Sequence, residues 1–119
     1  MIISFGKSLR YYVYGQATDM RKGFDSLCGL VSREFLMNTL SGDVFIFLNH
    51  RRDRIKVLHW QGDGFAIFYK RLEKGTYEIP KKENDKQAIE IDSQTLQFIL
   101  EGITLCSVKK RKRYQQICV

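Results

Sequence analysis

Between Asn49 and Lys56 the chain reads NHRRDRIK, which sets Arg51, Arg52, Arg54 and Lys56 close together with only Asp53 to offset them. Apolar Val44–Leu48 precedes this stretch and the alternating Arg54–Trp60 follows it, so the cluster belongs at a turn between two strands. Side chains there project from a rigid base into solvent. Guanidinium groups so placed can grip a phosphate in a two-pronged way or reach base edges. Charge also gathers at hairpin tips simply because tips are wet, yet four cations in so short a span exceed what solvation needs. A second run, Lys109, Lys110, Arg111, Lys112 and Arg113, is followed by Tyr114. Such a run holds phosphate backbones with little sequence preference, or else merely solubilises a chain end.

Locating the charge sharpens this reading. Of the net +7, the 109–113 run supplies five and the Arg51–Lys56 cluster a net three, which leaves the remaining residues at −1. The protein is therefore a near-neutral domain carrying two concentrated basic features. Concentrated positive charge attracts polyanions by releasing their counterions.

Catalytic or metal-binding groupings are weak by comparison. His50 and His59 are the only histidines, and Asp19, Asp25, Asp43, Asp53 and Asp63 are scattered. Cys28, Cys106 and Cys118 form no Cys-x-x-Cys pair, so neither a disulfide framework nor a zinc cluster is expected. Cys28 and Cys106 have the apolar neighbours of buried fillers. Gly62-x-Gly64 leads into a strand rather than a helix, so it is no phosphate loop. No cofactor, metal site or catalytic residue is expected.

The elements that must position the cluster follow from periodicity. Arg10–Gly15 reads as a short strand. Thr18 and Asp19 are good helix caps, and Met20, Phe24, Leu27, Cys28, Val31 and Phe35 then fall on one helical face, opposite Arg21, Lys22, Asp25 and Arg33. Ser41-Gly42 is the expected stop. Val44–Leu48, Arg54–Trp60 and Phe65–Tyr69 form a three-stranded antiparallel meander whose second turn carries an Asp63-Gly64 signal. Ile55, Val57 and His59 alternate with Arg54 and Lys56 along the middle strand. Tyr77–Ile79, closed by Pro80, and Ala88–Ile91 read as further short strands. Lys81–Gln87 reads as a solvated loop, and Asp92 or Ser93 caps a last helix carrying Leu96, Ile99, Leu100 and Ile103.

The fold expected is α+β, with a central antiparallel β-meander in a sheet of about four to six strands, one helix before it and one after. Residues 1–105 form one domain and residues 106–119 a basic tail. No apolar run is long enough to span a membrane, and a cytoplasmic protein is the expectation. Most of Phe45, Phe47, Phe65 and Phe68 belong to the core, while Trp60 and Tyr69, at strand ends beside polar residues, are candidates to stack on a base or meet a partner.

Several blocks together carry a resemblance. Asp19–Leu27 (DMRKGFDSL), Gly42–Leu58 (GDVFIFLNHRRDRIKVL), Trp60–Phe65 (WQGDGF) and Tyr69–Gly75 (YKRLEKG) resemble the small TnpB-type accessory protein of the sixty-six family of bacterial insertion sequences. The similarity runs from residue 10 to 105. It implies a protein that assists transposition beside a separate transposase, with no established catalytic residues to carry over. The family often ends in a tryptophan- and arginine-rich segment; here Leu105–Arg113 has no tryptophan, so contact there would rest on charge rather than stacking.

The expected function is thus a non-catalytic transposition factor that binds element DNA, the transposase, or both. Arg51, Arg52, Arg54 and Lys56 would meet phosphate or an acidic partner surface, Lys109–Arg113 would add grip, and Arg21 and Lys22 join Trp60 and Tyr69 as a further contact surface. Two rival readings are a protein-interaction subunit without DNA contact, and a small metal-independent ribonuclease using His59 and Tyr69 on one face of the sheet.

Overall fold

The computed structural model describes residues 9–79 and 88–102. Pro80, the Lys81–Gln87 loop, Ile103, Cys106, Cys118 and the tail with its Lys109–Arg113 run lie outside the described residues.

The elements run β1 (Tyr11–Ala17), α1 (Phe24–Leu30), β2 (Val44–Leu48), β3 (Arg54–Trp60), β4 (Phe65–Arg71), β5 (Ala88–Ile91) and α2 (Ser93–Glu101). Five strands form one sheet in the order β4-β3-β2-β1-β5. The antiparallel meander β2-β3-β4 is present as expected, and β5 pairs antiparallel with β1. Only β1 and β2 are parallel, joined across α1. This is the long connection that parallel strands require.

One helix packs on each face. On one side Leu96 and Ile99 of α2, together with Tyr77, cover Tyr11, Val13, Val44, Ile46, Ile55 and Val57. On the other, Leu27, Leu30, Val31 and Phe35 cover Tyr12, Tyr14, Phe45, Phe47 and Leu58. β2 is buried along its whole length, which is why VFIFL is apolar without alternation. Phe35 sits among the rings of Tyr14, Phe45 and Phe47, with centroids 5.4, 5.3 and 5.8 Å away. These tilted and edge-on contacts suit aromatic quadrupoles.

Several boundaries differ from the sequence expectation. Thr18 and Asp19 do not cap a helix that includes Met20; α1 begins at Phe24 with Gly23 as its N-cap. Asp19 Oδ1 instead accepts the backbone N–H of Arg21 and its carbonyl that of Lys22, a local turn that competes with helix. Arg21 and Lys22 therefore precede the helix rather than lining it. At its far end α1 widens into a π-type turn, Val31–Phe35, and stops at Leu36, whose φ of 55° is left-handed. Ser41-Gly42 closes only a short 3-10 turn, Thr39–Ser41.

Tyr77–Ile79 is not a strand. Tyr77 is drawn inward instead, its backbone N–H donating to Arg52 O at 2.6 Å. The β3–β4 turn uses Gly62, at φ 93°, as its first central residue rather than Asp63-Gly64. Glycine at that position gives the twist that two-residue hairpins favour. For α2 the expected cap is present: Asp92 Oδ1 accepts from Thr95 N–H at 2.7 Å, and Gly102 ends the helix at φ 78°. No helix among the described residues is long and apolar enough to cross a membrane.

Candidate nucleic-acid interface

The β2–β3 turn is built around Asn49. Its Oδ1 accepts the backbone N–H groups of Asp53 and Arg54 at 3.1 and 3.0 Å, and its amide donates to Asp53 Oδ1 at 2.7 Å. That last bond is the main reason the Asp53 carboxyl lies below its ordinary pKa. Arg52 N–H donates to Asn49 O, closing the turn, and Arg52 itself takes φ 60°. A non-glycine residue in that region costs about 1 kcal/mol, so the surrounding bonds must hold it. They do so from outside as well: Leu72 N–H donates to Asp53 O and Tyr77 N–H to Arg52 O. The basic turn is a fixed scaffold.

Its cations do not form one patch. Arg51 and Arg54 line an open cleft of about 620 Å³ with Asp19, Arg21, His50 and Tyr69. Arg52 faces a smaller cleft of about 310 Å³ beside Gly15, Gln16 and Ile79, and His50 borders both. The turn is thus a ridge between two hollows. Lys56 leaves the set altogether. It is buried, its Nζ donates to Lys22 O at 2.8 Å, and it lies 4.7 Å from the centroid of the Tyr69 ring. Spacing alone groups it with the turn; the structure turns it inward as a strut beneath the Lys22 segment and Tyr69.

Within the larger cleft Arg21 pairs with Asp19 at 2.7 Å. These side-chain hydrogen bonds, joined by the Arg21 backbone N–H, hold the Asp19 carboxyl at about 2. Arg51, Arg52 and Arg54 have no ion-pair partner among the described residues. Thr18, only 4% exposed, contributes to the cleft wall. Its hydroxyl is buried and has no hydrogen-bond partner among the described residues. Sequence reasoning does not single out Thr18, Asp19 or Asn49 as binding residues. An Asn opening a basic turn is the one signal that could mark Asn49.

The remaining candidates separate. Trp60 lies at the other end of β3, packed on Phe65 at 4.9 Å between centroids, four residues along the strand from Lys56. His59 pairs with Ala66, and Tyr69 with Lys56. Alternation therefore puts His59 and Tyr69 on opposite faces of the sheet, and the structure does not bring together the pair a ribonuclease reading needs. His59 is half-buried, and its Nδ1 has no partner among the described residues. Cys28 is half-buried against the α1-side core, and desolvation raises its thiol pKa. Among the described residues no three His, Cys, Asp or Glu side chains gather to hold a metal ion.

Comparison with known proteins adds the family. The model of the IS66 Orf2-like protein family matches residues 9–110. Two proteins of Sinorhizobium fredii are similar to the chain: y4jC, 28% identical with 92% of each chain covered, and y4hO, 35% identical with 82% of this chain and 84% of the relative covered. Both are described as uncharacterized proteins. No solved structure matches.

Proposed function

The chain belongs to the IS66 Orf2-like family of insertion-sequence accessory proteins, and we propose that it serves transposition as a non-catalytic DNA-binding factor, acting through the β2–β3 turn. One observation carries this reading. Three arginines without ion-pair partners among the described residues stand on a turn whose backbone is fixed by Asn49, Leu72 and Tyr77. A rigid basic ridge loses little conformational entropy on meeting phosphate, and its unpaired guanidinium groups release counterions from DNA without first breaking an internal ion pair. Lys109–Arg113 adds further attraction of the same kind. The element's transposase is the protein partner, and the work is done in the cytoplasm.

A second reading is favoured by a different observation. Phe24, Leu36 and Leu40 are 48%, 83% and 55% exposed, all on α1 or the loop after it. On this second reading the α1 side docks a protein through these side chains, and the turn grips that partner's acidic surface. Purification of the tagged chain from cells expressing the whole element separates the two. The DNA-binding reading expects element DNA to co-purify and Arg51→Ala with Arg52→Ala to reduce its recovery. Transposase recovered without DNA, and unaffected by those changes, would reject it.

A further inference from the structure

Resting on the DNA-binding reading above, we propose that the larger cleft seats one unpaired nucleotide of a DNA strand, its phosphate on Arg51 and Arg54 and its base against Tyr69. The sheet register places the parts. β3 and β4 pair Arg54 with Arg71 and Lys56 with Tyr69. All four side chains lie on the α1 face, two residues apart along each strand. The α1-side core takes in Tyr12, Tyr14, Phe45, Phe47 and Leu58 on that face, and the turn end of β3 and β4 is paved by these cations and one ring instead.

Two like charges directly opposite one another destabilise a sheet. Arg71 is drawn off to Glu73 at 3.0 Å, whereas Arg54 has no such partner among the described residues and borders the cleft. Tyr69 is 49% exposed. Its ring is held by the Lys56 ammonium, itself anchored on Lys22 O, so the platform is fixed before a base arrives.

Duplex DNA does not use such an arrangement, because its bases are stacked on one another and present no face to Tyr69. A strand with an unpaired base presents both phosphate and π-surface, the combination that single-strand sites bind with aromatic platforms in basic grooves. The two acids of the cleft do not oppose this. Asp19 is neutralised by Arg21, and Asp53 is turned to Asn49.

Fluorescence anisotropy with a labelled oligo-dT strand, the same strand made abasic, and a duplex of equal length tests the proposal. The oligo-dT strand should bind tighter than the duplex at equal salt. Tyr69→Ala should weaken oligo-dT binding roughly five- to hundred-fold, the range for losing one stacked base. It should weaken duplex binding far less than oligo-dT binding, while Tyr69→Phe retains wild-type behaviour. The abasic strand should bind wild type and Tyr69→Ala alike. Equal binding of strand and duplex, or an oligo-dT affinity indifferent to Tyr69→Ala, overturns the nucleotide site while leaving duplex contact at the turn intact. Failure to bind any of the probes would instead remove the DNA-binding reading, and the site with it.

Discussion

Asn49 carries more of the turn than any of its arginines. Three hydrogen bonds converge on its side chain, and Asn49→Ala leaves two backbone N–H groups and one carboxylate without that partner. A loss of about 1–3 kcal/mol is expected from such unsatisfied groups, read as a lower midpoint in urea unfolding. Asp19 and Arg21 make a prediction in pH. The Asp19 carboxyl is held at about 2 by Arg21 hydrogen bonds, below its unfolded value. Its contribution to stability is therefore present above the unfolded pKa and lost as pH falls through the folded one. In Arg21→Ala the carboxyl should titrate closer to the ordinary carboxylate range, visible in an NMR pH titration. The residue scale is also where the sequence is least legible. Spacing shows which cations are neighbours in the chain, but it cannot show that Lys56 turns inward to a carbonyl or that Arg51 and Arg52 face different hollows. Those facts depend on a left-handed Arg52 and on hydrogen bonds from Leu72 and Tyr77.

The elements are more legible, because periodicity reports burial directly. The meander, β5 and the capped α2 follow from alternation, a continuous apolar run and an Asp cap. Helix α1 is legible in its apolar face but not in its ends. The Asp19 turn delays its start to Phe24, and Leu36 in a left-handed conformation stops it well short of Gly42. Parallel pairing of β1 with β2 is not legible, since alternation fixes which face is buried and says nothing about strand direction. The docking of α1 rests on Phe35, ringed by Tyr14, Phe45 and Phe47. Phe35→Ala should cost about 3–5 kcal/mol through lost burial and the cavity left behind. In a domain this small that is much of the total stability, so a thermal melt should show a large drop or no cooperative transition.

At the scale of the whole molecule, the described residues place α1 and α2 on opposite faces of a five-stranded sheet, and the β2–β3 turn presents its charge at one end of that sheet. Membership of the IS66 Orf2-like family places the protein in transposition, and the family resemblance is already legible in the DMRKGFDSL and NHRRDRIKVL blocks. The structure explains why those two blocks belong together. The first passes over the second, tied by the bond from Lys56 to Lys22 O, and together they wall one cleft. The most direct test of DNA contact at this turn is the salt dependence of binding to duplex DNA. Wild type and the Arg51→Ala, Arg52→Ala variant are titrated across a range of salt concentrations, and log affinity is plotted against log salt. Each phosphate that the variant no longer neutralises should flatten the slope by about 0.9, so the variant should be shallower by up to roughly two and weaker at low salt. Identical slopes and affinities for the two proteins would contradict the account.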